Sequence, residues 1–461
     1  YNFSSGSRGR GNLSSTANPY FLFPQIYNFR YNIYSSEWPV ANRAIELYLQ
    51  KKSENEGWER QINGLSNNEK ANLLLEKHTF KELLADVEQR NLQNNIVGLE
   101  ASRLFARSEI NMGVDAFRDS LYAMLKRNTF LNIKFENMLD TLGEMSRTDL
   151  YSYLKEWEQL TPLPFYSIGE PELTKVVNKG GEEFFVLKVL VSNNSDYDGI
   201  IQMNVLQNGW WYQPMEDPRA RKKVEIAAHT SKEFVSVWEE QIRDVEINTM
   251  VSGNLPYMIR QSIGNVKQER NKIVKDTIYT LPESSLEMPG EVIVDNEDST
   301  LFVLSTPAVV GLLPKWLDKV EDTSFKYSGI SWWRAPLQWT ATTNAKYYGK
   351  YIRSAYVIKS GDGSQTATWK IPVPEAGQYE LYYHVFKDDE LRWNDRLQGE
   401  YHFRVAYDSE MEDAYINLRK ANEGWEQLGT YYFSADTVRV VLTDECKLRS
   451  VTADAVKIVK R

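Results

Sequence analysis

Thr366-Ala367-Thr368-Trp369-Lys370-Ile371, followed by Gln378-Tyr379-Glu380-Leu381-Tyr382-Tyr383-His384-Val385-Phe386, is the stretch that decides the fold. Both runs are rich in aromatic and β-branched residues, so both read as strands. Pro374 and Gly377 lie between them. Towards the C-terminus, Glu400–Tyr407, Ala414–Leu418, Gly429–Phe433, Thr437–Leu442 and Ala453–Val459 read the same way. Towards the N-terminus, Val292–Val294 and Leu301–Leu304 flank the turn Asp295-Asn296-Glu297-Asp298. About nine strands with long loops predict a two-sheet jelly roll, here over residues 290–461.

Further upstream the pattern changes twice. Phe184–Val191 reads as a strand, Asn193, Asn194, Ser195, Asp196 and Gly199 as a turn cluster, and Ile200–Val205 as a second strand. Strand signals continue at Val224–Ala228, Phe234–Trp238 and Val245–Val251, with no helix between. These predict a small β-sandwich over residues 164–260. Residues 261–289 are polar and mixed in charge, and read as a connector. Before Pro164 the period is helical. Pro39 marks a first helix start. Ser66 and Glu69 have capping-box spacing. Val114, Phe117, Leu121, Met124 and Leu125 form an apolar stripe, as do Phe135, Met138, Leu139 and Leu142, and Leu150, Tyr153, Leu154 and Trp157. Residues 38–163 are therefore expected to form a helical bundle or array. Residues 1–37 open with a Gly/Ser-rich linker, and Tyr20–Tyr34 is dense in aromatics. There Phe29, Tyr31 and Ile33 alternate with polar residues, as in an extended segment that docks on an apolar surface.

The 461 residues allow about three domains. Acids outnumber bases 63 to 54, for a formal charge of −9. That balance excludes a protein that wraps nucleic acid, which needs a basic face. No run of 18 or more apolar residues exists, so no helix is expected to span a membrane. The chain opens at Tyr1 without a charged-then-apolar signal segment, which reads as a processed form or part of a longer protein. Cys446 is the single cysteine, so an internal disulfide and a cysteine metal cluster are excluded. The 27 Tyr and 13 Trp suit cores, wet interfaces and sugar-stacking platforms alike.

Several motifs occur in order in the last block. They are Val294 to Asp298, Tyr327-Ser328-Gly329 before Trp332, Tyr347-Tyr348-Gly349, Ala367-Thr368-Trp369, and Pro374 with Gly377-Gln378-Tyr379. Tyr401-His402-Phe403, Gly424-Trp425-Glu426-Gln427-Leu428-Gly429-Thr430-Tyr431 and Ala453-Asp454-Ala455-Val456 follow. In these residues 290–461 resemble the golvesin and xanthan-lyase C-terminal domain family, which implies a carbohydrate-binding-like, galactose-binding-like jelly roll. The polar loops Pro307–Phe325 and Lys387–Arg396 depart from that pattern. Residues 38–260 resemble the C-terminal parts of gluzincin zinc aminopeptidases. There Phe117 to Leu125, Phe135-Glu136, Leu139, Asp149-Leu150, Leu154, Trp157 and Leu163-Pro164-Phe165-Tyr166 look like the helical domain. Asn193 to Asp196 and Ile247-Asn248-Thr249 look like the accompanying immunoglobulin-like domain. The fold expected for the whole is multidomain α+β: a helical bundle or array, an immunoglobulin-like sandwich, then the jelly roll.

No complete active site is legible, and no catalytic residue is assigned. A zinc peptidase needs two histidines one helical turn apart with a glutamate beside the first. His78, His229, His384 and His402 do not form that pattern. No Gly-X-Ser-X-Gly elbow occurs. Asp444 and Glu445 near Cys446 disfavour a thiolate nucleophile. The pair Glu390/Asp395 cannot be placed at glycosidase separation from sequence.

The ligand candidates are the flat aromatics Trp332, Trp333, Trp339, Trp393 and Trp425, with Asp395 beside Trp393 in the polar run Asp388–Arg396. Trp393 is open to burial under its loop or to ligand contact, and Trp425 to packing within its motif. Asp295, Asp298 and Asp454 at strand ends could ligate a structural Ca²⁺ through oxygen, or simply build turns. No other cofactor is expected in this chain; Zn²⁺ belongs only to a catalytic domain upstream. The reading is a non-catalytic, extracytoplasmic binding and scaffolding region of a larger envelope protein, at the periplasm or surface of a Gram-negative bacterium. Its partner would be a glycan or an envelope protein. The rivals are an accessory part of a zinc aminopeptidase and a structural subunit docked on an outer-membrane complex.

Overall fold

The computed structural model describes residues 31–50, 56–177, 180–206, 217–264, 266–270, 274–284, 286, 290–305, 325–330, 334–387, 399–408 and 410–461. It is multidomain α+β. By contact the chain divides into two compact units, one of residues 1–51 with 77–161, the other of residues 52–76 with 162–461.

Among the described residues of the first unit are helices Ala41–Leu49, Phe80–Ala85, Gln93–Met112, Val114–Arg127, Phe135–Ser146 and Leu150–Lys155. Each apolar stripe read from the sequence turns inward: Phe117, Leu121, Phe135, Leu142 and Leu154 are buried. Trp157 seals this core, edge-on to Trp38 at 5.2 Å and to Phe80 at 4.6 Å. Of the expected aromatic segment, Asn32–Tyr34 forms a short strand parallel to Asn132–Lys134, with Ile33 buried. Residues 20–30 of that segment, like the linker 1–18, lie outside the described residues.

The stretch 38–163, read as one helical domain, is divided. Helices Glu56–Asn63 and Asn67–Leu75 belong to the β-rich unit. The expected capping box is present: the Ser66 hydroxyl accepts from Glu69 N at 3.2 Å, and Ser66 N donates to Glu69 Oε2 at 2.7 Å. Glu69 is buried and takes a bidentate bond from Arg60, as short as 2.7 Å. A hairpin of two short helices cannot bury a core alone. It folds onto β-structure instead, through Leu65, which packs with Leu255, Tyr327 and Ala341.

The immunoglobulin-like part has two sheets. One orders Met258–Ser262, Asp244–Asn248, Gly199–Leu206 and Arg221–Ile226. The other orders Val266–Arg270, Glu172–Val177, Glu183–Asn193, Thr230–Trp238 and Thr277–Pro282, with Tyr166–Ile168 added. Two of these strands fall in the expected connector 261–289, which is thus a correction. Val266–Arg270 and Thr277–Pro282 are edge strands exposed along most of their length, so their sequence carries little inward alternation.

The jelly roll buries Trp369, Tyr379, Leu381, Tyr383, Phe403 and Phe433 between two main sheets. The first orders Glu291–Val294, Val456–Lys460, Gly377–Val385 and Gly424–Phe433. The second orders Phe302–Leu304, Thr366–Pro372, Thr437–Thr443, Glu400–Tyr407 and Glu410–Asn417. A third sheet of Thr340–Thr343, Ser354–Lys359 and Ser450–Ala453 joins this module to the hairpin, where Thr343 Oγ1 donates to Gly64 O at 2.7 Å.

At that junction backbone packs on backbone. Gly64 has φ +79, and a Cβ there would lie 2.3 Å from Ser328 C. A Cβ on Gly329 would lie 1.8 Å from Ile62 O. Gly64→Val should therefore cost at least about 2 kcal/mol, combining strain and clash. Gly57, with nothing within 4 Å of a Cβ, is the control. Gly57→Ala should be neutral or slightly stabilising. Denaturant titration of the two variants checks both outcomes.

Candidate functional site

Asp454 sits between the strands Ser450–Ala453 and Val456–Lys460 and is fully buried. Its flanks, Ala453 and Ala455, are buried alanines that leave room for other chains to approach. Tyr348 N donates to its two carboxylate oxygens at 3.1 and 3.2 Å. His384 Nδ1 lies 2.8 Å from its Oδ2. Burial pushes its carboxyl up from the ordinary range, and His384, the Tyr348 amide and Arg353 oppose that shift. Asp454 thereby gathers two segments that are distant in sequence, Tyr347-Tyr348-Gly349 and the His384 strand.

Trp425 completes the group. It stands directly opposite His384 in the strand pair, on the face turned away from Tyr379, Leu381 and Tyr383. Ring centroids are 5.0 Å apart for Tyr348 and Trp425, 5.1 Å for His384 and Trp425, and 5.8 Å for Tyr348 and His384. Lys457 Nζ lies 4.9 Å from the Trp425 ring and 5.3 Å from that of Tyr382, held by Glu291 at 2.9 Å. Tyr348, His384 and Trp425 are each half-buried. The arrangement is a fixed, partly exposed aromatic cluster with a cation beside it, able to take an apolar ring face and bond polar groups at its rim.

The other candidates distribute as follows. Trp339 is half-buried against the sandwich core, and its buried indole N–H has no partner among the described residues. Trp332, Trp333, Trp393 and Asp395, with Glu390, lie outside the described residues. Asp295 and Asp298 build their turn: Asp295 N donates to Asp298 Oδ2 at 2.8 Å, and Asn296 N donates to Asp295 Oδ1 at 2.7 Å. Burial, then the neighbouring Asp454, Glu297 and Asp298, push the Asp295 carboxyl well above the usual range. Among the described residues no three His, Cys, Asp or Glu side chains are placed to hold a metal. His384 and His402 stand on different sheets, so they do not meet. His402 bonds Asp413 at 2.9 Å, and exposed His229 lies 2.8 Å from both Asp196 and Glu283. Cys446 packs against the core, where burial raises its thiol pKa.

Sequence reading missed the roles of Tyr348, His384 and Lys457. The signal for Tyr348 and Asp454 was their place in ordered motifs. No periodicity could have paired His384 with Trp425, which stand 41 positions apart by number.

Residues 333–460 match the Golvesin C-terminal domain. The motifs that meet at Asp454, namely Tyr347 to Gly349, His384, Trp425 and Asp454 itself, all fall inside that stretch. No curated protein matches the chain. Among solved structures, the Paenibacillus xanthan lyase is 16% identical over 65% of this chain, with a TM-score of 0.27. The chain spans 27% of that lyase. The CBM35 of Cellvibrio japonicus Abf62 is 12% identical over 24% of this chain and 75% of its own, with a TM-score of 0.17. Legionella pneumophila aminopeptidase A is 15% identical over 39% of this chain and 18% of its own, with a TM-score of 0.20. The aminopeptidase resemblance of residues 38–260 remains a side note.

Asp454 and Asp295 each carry a prediction. Asp454→Ala leaves the Tyr348 amide and His384 without their partner, and should cost about 3 kcal/mol in denaturant unfolding. The folded-state pKa of Asp295 lies above its unfolded value, so its stabilising share is present at acid pH and lost as pH rises through the raised pKa. Asp295→Asn removes that loss. Its melting temperature relative to wild type should climb between pH 4 and pH 8, roughly the span from the ordinary carboxylate range to neutrality.

Proposed function

We propose that residues 290–461 are a non-catalytic glycan-binding module, with the face around Trp425 as its contact surface. The observation that carries this reading is the half-buried Tyr348–His384–Trp425 cluster, held rigid from beneath by buried Asp454. A ring fixed before binding loses little conformational freedom when a sugar stacks on it. Lys457 is already paired with Glu291, and His384 is bonded to Asp454, so a neutral pyranose suits the face best. The match to the Golvesin C-terminal domain and the carbohydrate-binding resemblance support the same reading.

Polymeric glycans are met outside the cytoplasm, and we assign the chain to the periplasm or cell surface of a Gram-negative bacterium. There it serves as the binding and scaffolding region of a larger envelope protein. No helix among the described residues is long and apolar enough to cross a membrane.

Titration of the chain with a panel of neutral polysaccharides, followed by tryptophan fluorescence, tests the assignment. Trp425→Ala should weaken the tightest binder by about 30-fold, as removal of an aromatic hot spot does. No binding by any polysaccharide, or unchanged binding by the variant, would overturn it.

A further inference from the structure

The outward face of the second jelly-roll sheet has a different chemistry. Tyr401, Phe403, Val405, Val440 and Leu442 point into the core, so the residues alternating with them face out. Tyr415 on the edge strand Glu410–Asn417 is 59% exposed. It lies opposite His402 and stacks flat on it, at 5.0 Å and 15°. His402 is fixed in turn: Asp413 holds its Nε2 at 2.9 Å, and Thr443 lies 3.3 Å from its Nδ1. One face of the Tyr415 ring is thus pinned and the ring stays largely in solvent.

Register places three cations in line from that ring. Arg404 is two residues along the strand from His402 and one strand in from Tyr415. Arg439 is one further strand in, opposite Ala406, and Lys370 is directly opposite Arg439. Each diagonal step is roughly 8 Å between Cα atoms, from the strand spacing and two-residue rise. Arg404, Arg439 and Lys370 make no ion pair among the described residues, in a chain of formal charge −9. Like charges directly across a strand pair are destabilising, as Lys370 and Arg439 are here. Asp413, directly opposite Arg404, and Glu445 both turn onto His402. Arg439 also lines a cleft of about 240 Å³ that carries Asp408, Glu410 and Asp436, and Lys370 on the next strand is not among the residues lining it.

We infer that this face is a second polysaccharide site, distinct from the Trp425 face, and that it takes an acidic glycan whose pyranose rings carry carboxylates. Tyr415 accepts a ring face, and Arg404, Arg439 and Lys370 meet successive carboxylates by charge-assisted hydrogen bonds. A simple ion-exchange surface would need the cations and not the ring. A stacking platform for neutral sugar would need the ring and not the cations.

The full chain is titrated with polygalacturonate, with dextran as the neutral polymer and polyglutamate as the non-sugar polyanion. The expected result is polygalacturonate binding that weakens at least about tenfold in the Arg404→Gln/Arg439→Gln variant and in Tyr415→Ala. It should survive in Tyr415→Phe, which keeps the ring, and in Trp425→Ala, which leaves this face intact. Absence of polygalacturonate binding, equal binding of polyglutamate, or indifference to Tyr415→Ala would each overturn the site. Dextran binding lost only in Trp425→Ala would leave the first face standing while the second fell, so the two failures are separable.

Discussion

Where residues 62–64 meet residues 328 and 329, main chain lies against main chain, and no side chain fits between. This seam holds the β-rich unit together. It brings a helical hairpin from residues 56–75 onto a strand whose Thr343 lies 279 positions from Gly64 by number. Leu65 fills the space beside it, with Leu255 of the immunoglobulin-like part and Tyr327 and Ala341 of the jelly roll. Leu255 adds backbone bonds of its own: its N–H donates to Tyr351 O at 3.0 Å, and its carbonyl accepts from Arg353 N at 2.6 Å. Asn72 also donates to Met250 O at 3.2 Å, so the hairpin bonds the sandwich as well as the module.

That seam reaches the candidate site through one short loop. Tyr347 to Arg353 is tied to Leu255 at its far end and to Asp454 at Tyr348. The ring of Tyr348 stands beside Trp425 only because both ends are fixed. A buried carboxylate is costly unless it is bonded on all sides, and it then specifies one arrangement of the groups that bond it. Asp454 meets that condition with the Tyr348 amide, His384 and nearby Arg353. Asp295 does not: burial first, and then the neighbouring acids, hold its carboxyl well above the usual range.

The two faces of the sandwich follow from the same strand alternation but differ in charge balance. On the Trp425 face each cation has an acid: Lys457 has Glu291, and Arg461 has Glu380 at 2.8 Å. On the Tyr415 face Asp413 and Glu445 are drawn to His402, and Arg404 and Arg439 make no ion pair among the described residues. Rigid aromatics occur on both, one braced by a buried aspartate and one by a hydrogen-bonded histidine. Surfaces of one module can thus present different chemistry to a ligand without any change of fold.

Much of the architecture was legible in the sequence because local periodicity reports which face is buried. Residues 366–371 and 378–386 alternate cleanly, and their strands formed where expected. The Ser66–Glu69 capping box was equally local, and it formed. Val266–Arg270 and Thr277–Pro282 were not legible, since edge strands with solvent on most sides need no apolar period. The allegiance of residues 56–75 was also invisible, because a helical period says that a face is buried but not against what. The sequence by itself determined the strands, the helices and the ordered motifs of the last block. Only the tertiary structure decided that Tyr348, His384, Trp425 and Asp454 converge, and that Tyr415 lies flat on His402. Those contacts are set by strand register and by a buried charge choosing its partners, and neither leaves a mark in the spacing of residues along the chain.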